Sequence, residues 1–337
     1  DLVAISPWNF PLMMSSWKVA PALAWGNTVV LKPAEDTPAS ATIWARLALE
    51  AGIPPGVLNV VHGFGPDSVG EALTHHPDVD RITFTGESGT GKIISAAAAA
   101  NLIPVSLELG GKGANIVFDD ADIDNAVNWA VQAIFRNAGQ VCLAGSRLFV
   151  QNRIYDEFMS RYKTAAENML VGDPKDPKTE FGPLASAEHH KKVTSYFSTV
   201  KEDGGRILTG GTTEGLYVSP TIIVDAPASA RVCREEIFGP VVAVQRFDSE
   251  SEVVREANST PYGLNAMVFT ENLSRAHRVA ENLKAGTVWV NCFFIRDLRA
   301  PFGGVGDSGV GREGGNFSRE FFTEPKAVVM QINRKED

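Results

Sequence analysis

Short β-rich runs alternate with helix-forming stretches through the first third of this chain, and that alternation restricts the fold more than any other feature. Residues 2–6, 28–32, 57–61 and Arg81–Thr85 are apolar and rich in branched side chains. Between them lie helix signals. Thr37 and Pro38 supply a cap and a first-turn proline for a helix running to Ala51, stopped by Gly52 and by Pro54-Pro55. A second helix is predicted over residues 67–73, and a glycine-rich stretch, Gly86 to Gly91, opens a third that ends near Ala100. Strand–helix–strand alternation implies an α/β protein whose parallel sheet is covered on both faces. The pattern resumes with a strand at 114–118, a helix over Ile123–Phe135 and a strand over Arg147–Gln151. Helices are predicted at 154–169, 189–202, Glu250–Ala257 and 272–285, strands at 241–245 and 287–291, and a strand-like run at 327–332 after a glycine-rich loop, 301–315. No repeat or flexible linker separates the parts.

The 337 residues are enough for one large or two ordinary domains with substantial cores. The 31 basic residues against 40 acidic ones leave a net charge of −9, which argues against a nucleic-acid partner. No apolar run has the length of a membrane span. Cys142, Cys233 and Cys292 form no CxxC pair and no disulfide framework, so a reducing compartment, the cytoplasm, is expected. The chain opens at Asp1-Leu2-Val3-Ala4-Ile5, already strand-like, which suggests that sequence upstream is missing.

Two residues carry chemistry. Cys142 lies in Gln140-Val141-Cys142-Leu143-Ala144-Gly145, where small neighbours leave a sulfur accessible, and a thiolate is a strong nucleophile. Glu108 lies between Leu107 and Leu109 and is followed by Gly110-Gly111. Apolar neighbours raise a carboxyl pKa toward the value a general base needs. A nucleophilic thiol and a tunable carboxylate suffice to make and hydrolyse a thioester.

Other motifs have ordinary alternatives. Gly86-Glu87-Ser88-Gly89-Thr90-Gly91-Lys92 follows a strand and fits a dinucleotide pyrophosphate, a structural turn, or the start of a P-loop of an NTPase. Ile93 stands where a P-loop needs a hydroxyl. Lys32-Pro33-Ala34-Glu35 reads as a cation and a carboxylate for a cofactor ribose, or as a solvated loop pair; such a carboxylate favours NAD over NADP. In Pro7-Trp8-Asn9-Phe10-Pro11 the amide could donate to an oxyanion or serve the turn. Glu235-Glu236-Ile237-Phe238-Gly239-Pro240 reads alone as a charged helix end. Cys233 and Cys292 read as packing thiols, and no metal-binding pattern includes His62, His75 or His76.

Taken in order, these segments, together with Phe84-Thr85-Gly86 and Pro301-Phe302-Gly303-Gly304, resemble the aldehyde dehydrogenase superfamily from one end of the chain to the other. The resemblance implies two parallel-sheet α/β domains: a cofactor domain over 1–108, incomplete at its amino-terminal side, and a catalytic domain over 109–307. A return to the cofactor domain with an oligomerisation strand would occupy 308–337. It implies that this chain corresponds to about the last two-thirds of a typical member, and that it forms a homo-oligomer, dimer or tetramer. It implies Cys142 as nucleophile, Glu108 as general base, and Asn9 with the Cys142 amide as the oxyanion site. Cofactor contacts would come from Ser6, Pro7, Trp8, Lys32, Glu35, Gly86, Ser88, Gly91, Glu236 and Phe238, with NAD the hydride acceptor and no metal. Glu87 stands where the family usually has Ser, placing a negative charge near phosphates. Glu108 separates the chain from the CoA-acylating branch. An unreactive relative keeping only the fold is the remaining alternative.

The run Ile295-Arg296-Asp297-Leu298-Arg299 resembles the muconate-semialdehyde branch, in a segment that borders the family's substrate tunnel. Phe10, Trp17, Arg296 and Arg299 are the implied substrate contacts. Either arginine could clamp a substrate carboxylate, and either could instead form a surface ion pair.

Overall fold

The structure, a computed structural model, describes residues 1–332. The first five strands are β1 (Leu2–Ile5), β2 (Val29–Lys32), β3 (Leu58–Val60), β4 (Arg81–Thr85) and β5 (Val105–Glu108). They run parallel to one another, with β1 between β4 and β2. The four residues of β1 are all buried and apolar, as a central strand covered on both faces requires. Leu2 and Ala4 enter a core with Val19, Leu31 and Ala41. Val3 and Ile5 enter another on the opposite face with Phe84, Ile94 and Leu107. That split follows from the period-2 geometry of a strand.

The second sheet is built from β6 (Ala114–Val117), β7 (Arg147–Gln151), β8 (Arg206–Thr209), β11 (Thr221–Val224), β12 (Val241–Phe247), β13 (Asn265–Phe269) and β14 (Thr287–Val290), with β9 (Thr213–Glu214) and β10 (Tyr217–Val218) forming a separate hairpin. Its spatial order is β14-β13-β6-β7-β12-β11-β8, parallel except where β8 meets β11. The chain then returns to the first sheet, where β15 (Gly309–Val310) pairs antiparallel with β5 and places Gly309 opposite Glu108.

The first five helices are α1 (Pro11–Ala24), α2 (Ala39–Glu50), α3 (Val69–Thr74), α4 (Ser88–Ala100) and α5 (Ile123–Phe135). In α1, Met14, Ser15, Lys18, Val19 and Ala22 are buried, a single face at helical spacing. Asp122 caps α5 by accepting from the Asn125 amide. Among the described residues no helix is long and apolar enough to cross a membrane.

Several sequence expectations need correction. α1 is absent from the sequence reading because Pro11 and Pro21 obscure it; Pro11 occupies the first turn, where it is tolerated. β5 is missed because Ser106 and Glu108 interrupt its apolar pattern. Thr37 does not cap α2: its hydroxyl has no hydrogen-bond partner among the described residues, and Pro38 already has helical angles. Gly89 and Gly91 lie inside α4 and not in a loop before it. The expected strand at 327–332 does not form; Val328, Val329, Met330 and Ile332 are exposed, and no strand of the described residues pairs with them. A strand without a partner has no ladder to hold it. Residues 333–337 of the expected 308–337 segment lie outside the described residues.

Candidate active site

The predicted site residues come from strand ends and the loops that follow them. Ser6 to Phe10 follow β1, Lys32 ends β2, Gly86 follows β4 and Glu108 ends β5. Carboxyl ends of parallel strands are where such folds bind ligands. Cys142 arrives from the other sheet's helices, at the end of the turn after α5. Together these segments enclose a cavity of about 740 Å³. Its walls include Asn9, Glu108, Cys142, Glu236, Phe238 and Arg296. Ser6, Pro7, Trp8, Phe10, Trp17, Lys32, Glu35 and Gly86 line it as well.

Three predicted residues do not face this space. The Ser88 hydroxyl donates to the Asp307 carbonyl at 2.7 Å, fastening α4 to the loop before β15. Gly91 packs against Leu109: a Cβ there would lie 2.5 Å from a leucine methyl. Arg299 is exposed, and its Nη2 lies 2.6 Å from Asp297 Oδ2. Two positions apart, that pair is the surface ion pair that any Arg near an Asp readily forms. Lys92, the would-be P-loop lysine, is likewise occupied, with its ammonium 2.8 Å from Asp307 Oδ2. The Glu87 carboxylate is exposed and lies 3.6 Å from the Lys192 ammonium, so its charge is partly offset.

Glu108 is buried, and among the described residues neither carboxyl oxygen has a hydrogen-bond partner. Burial holds its pKa well above the usual carboxylate range; the charge of Glu313 adds to this, while Lys18, Arg312 and Arg296 oppose it. Backbone fixes it on two sides. Its carbonyl accepts from the Gly86 amide at 3.1 Å, and the Leu109 amide donates to the Ser308 carbonyl at 3.0 Å. Gly303 approaches so closely that a Cβ there would lie 2.7 Å from Glu108 Oε1.

Cys142 is half-buried, enclosed by the cavity walls. Burial first, then the carboxylates of Glu236 and Glu108, push its thiol up to about 12, and Arg296 pulls the other way. Glu236 accepts from the Gly111 amide at 2.8 Å, and burial raises its pKa to about 7. The Asn9 amide donates to the Gln140 carbonyl at 2.9 Å, which brings the loop after β1 against the segment carrying the thiol.

Arg296 differs from Arg299. Its guanidinium carbon lies 4.2 Å from the ring centre of Phe302 and 4.3 Å from that of Trp17, with Phe294 at 5.5 Å. Among the described residues no carboxylate pairs with it, so its donors are free for a ligand. Lys32 is buried and donates to the Pro33 carbonyl at 3.1 Å and to Glu35 at 3.4 Å. Trp8 and Phe238 stand edge to face at 5.3 Å between ring centres, with His189 beside both.

The sequence reading passed over several of these groups. Lys18 is fully buried and pairs with Glu313 at 2.8 Å while donating to Thr83 at 3.0 Å. A lysine in an unrecognised helix carries no signal for that. The His189 imidazole lies 2.7 Å from the Phe238 carbonyl, and Ser308, buried, donates to the Gly110 carbonyl at 2.6 Å. Lys112 is buried with no partner for its ammonium among the described residues, and burial lowers its pKa to about 7. Its place in Leu109-Gly110-Gly111-Lys112 was visible, but its burial was not.

Comparison with known proteins shows what the chain as a whole is similar to. The profile of the family described as aldehyde dehydrogenase family matches residues 2–328. The 2-hydroxymuconic semialdehyde dehydrogenase of Pseudomonas sp. (strain CF600) is 52% identical over 336 residues, which cover 97% of this chain and 69% of that protein. A 2-aminomuconic 6-semialdehyde dehydrogenase of Pseudomonas sp. is 50% identical, covering 98% of this chain and 69% of that protein. The crystal structure of betaine aldehyde dehydrogenase from Staphylococcus aureus in complex with NAD+ superposes with a TM-score of 0.93 at 43% identity, over 95% of this chain and 65% of that one.

Proposed function

The chain belongs to the aldehyde dehydrogenase family as an NAD(P)-dependent enzyme, and from that premise we propose that it oxidises a carboxylate-bearing semialdehyde to the dicarboxylic acid with NAD as hydride acceptor. The observation that carries the substrate class is the Arg296 guanidinium, unpaired among the described residues and held between Trp17 and Phe302 in the wall of the cavity that contains Cys142. Two relatives named for muconic semialdehydes support it.

In this reading the thiolate of Cys142 attacks the aldehyde carbon, and the Asn9 amide with the Cys142 backbone amide stabilises the oxyanion. A bound NAD would supply the hydride acceptor and the positive charge of its oxidised ring. The thioester left on Cys142 is hydrolysed by a water that Glu108 deprotonates. The two buried Glu108 oxygens without partners support that role, because a base must present an open lone pair to its water. Arg296 binds the substrate's distal carboxylate.

The cavity is suited to a dinucleotide. Lys32 and Glu35 would hold the adenosine ribose, and a carboxylate there disfavours a 2′-phosphate, hence NAD over NADP. Glu236 and Phe238 would meet the nicotinamide end, and Gly86 at the start of α4 the pyrophosphate. Residues 1–108 would form the cofactor domain and 109–307 the catalytic domain, with the chain from 308 returning to the cofactor domain, in a cytoplasmic homo-oligomer. NADH production from a panel of acidic semialdehydes and neutral aldehydes of similar size tests this reading. A kcat/KM highest for the acidic members supports it, and equal rates for neutral ones would sink it.

A further inference from the structure

Asn137 lies just past α5 with φ 53° and ψ 34°, followed by Ala138 at φ 54° and Gly139 at φ 70°. Two consecutive non-glycine residues in the left-handed region are costly, and asparagine tolerates it better than most. The turn carries the Asn137 side chain back over the chain that follows it. Its Nδ2 donates to the Gln140 carbonyl at 3.2 Å and to the backbone carbonyl of Asn9 at 3.3 Å. Gln140 returns a bond from Nε2 to the Asn137 carbonyl at 3.2 Å, and its Oε1 accepts from the Ala185 amide at 2.9 Å.

A side-chain amide nitrogen carries two hydrogens. Asn9 directs one of them to the Gln140 carbonyl, which leaves the other for a reacting oxygen. The direction of that second N–H is therefore set by where the Gln140 carbonyl lies. Asn137 holds that same carbonyl and also the main chain of Asn9, closing a triangle around the donor. Misplacing such a donor forfeits its contribution, because oxyanion stabilisation depends on preorganised geometry.

We propose that Asn137 is a positioning residue that aims the Asn9 amide at the oxyanion. The inference rests on the reading of Asn9 as an oxyanion donor. It assigns a use to the strained turn: the left-handed backbone is what allows one amide to reach two segments more than 120 positions apart in sequence.

The test uses Asn137→Gly, which keeps the backbone permitted and removes the amide, and Asn137→Asp, which keeps the shape and replaces the donor by an acceptor. Both should lower kcat by about tenfold, part of the hundred- to thousandfold that a lost oxyanion donor costs. KM, the melting temperature and the Cys142 alkylation rate should stay near those of the parent. In an Asn9→Ala background, adding Asn137→Gly should change kcat by less than about twofold, since the group it aims is gone. Full kcat in Asn137→Gly, or losses that multiply with Asn9→Ala, would overturn the inference while leaving the oxyanion reading intact. Should Asn137→Gly fail to fold, Asn137→Asp alone and in the Asn9→Ala background carries the same comparison. Full kcat in Asn9→Ala alone would remove both.

Discussion

The guanidinium carbon of Arg296 sits 4.3 Å from the ring centre of Trp17, and the same cation has no carboxylate partner from its own chain among the described residues. Aromatic faces hold the charge without neutralising it, which keeps it available to an incoming anion. Arg296→Ala should lower kcat/KM for an acidic semialdehyde by roughly ten- to hundredfold, the worth of a charge-assisted hydrogen bond of about 1.5–3 kcal/mol. A neutral aldehyde should lose little. Arg299→Ala, which breaks only the exposed pair with Asp297, is the control and should leave both substrates alone. Steady-state kinetics on the two substrates decide the matter.

Nucleophile and base should separate cleanly. Cys142→Ala should reduce oxidation by more than about a thousandfold, since among the described residues Cys142 is the cysteine that lines the cavity. Glu108→Gln should still form the thioester but hydrolyse it about a hundred- to ten-thousandfold more slowly. Rapid mixing should then show a burst of NADH followed by a slow phase, with the acyl group found on Cys142 by mass spectrometry. A Glu108→Gln enzyme with no burst and no trapped acyl group contradicts the assignment.

The thiol predicts a pH dependence of its own. With its pKa pushed up to about 12, Cys142 in the cofactor-free protein is protonated at neutral pH. Alkylation should therefore accelerate with rising pH through pH 10 without levelling. Arg296→Ala removes a stabilising positive charge, so labelling should slow. Glu236→Gln removes a destabilising negative one, so labelling should quicken at pH 8.5, where Glu236 with its pKa near 7 is ionised, and not at pH 6. An early plateau near pH 8 in the free protein would contradict this.

Lys112 offers a stability test. Its pKa falls from the usual lysine value to about 7 on folding. Between pH 7 and about 10.5 the unfolded chain binds the extra proton, so stability should rise with pH across that interval. Lys112→Met removes the unpartnered amine from its buried position at similar volume. The variant should unfold at a higher temperature at pH 7, and the gain should shrink by pH 10. Thermal melts at several pH values measure both.

What the sequence disclosed, and what it hid, depends on the reach of each signal. Arg81–Thr85 and Ile123–Phe135 were legible because one composition and one period run through each. Cys142 and Glu108 stood out because their immediate neighbours are unusual for a thiol and a carboxyl. α1 was hidden by its prolines, and β5 by two polar residues that the interior uses. Lys18 and Glu313 could not be read at all: 295 positions separate them, and only the folded chain makes them a pair. The distinction between Arg296 and Arg299 was equally out of reach, since three residues of irregular backbone decide which one faces the cavity.

The pairing of Gly309 with Glu108 has a consequence for synthesis. The carboxyl is made in the first third of the chain, yet the strand that walls it, and the Glu313 charge that helps set its proton affinity, emerge only near the end. A polypeptide halted at residue 300 would carry the thiol and the carboxyl without the Gly303 and Gly309 backbone that packs against the latter. If Glu108 is the proposed base, its setting is complete only once residues 303–313 have folded back onto it.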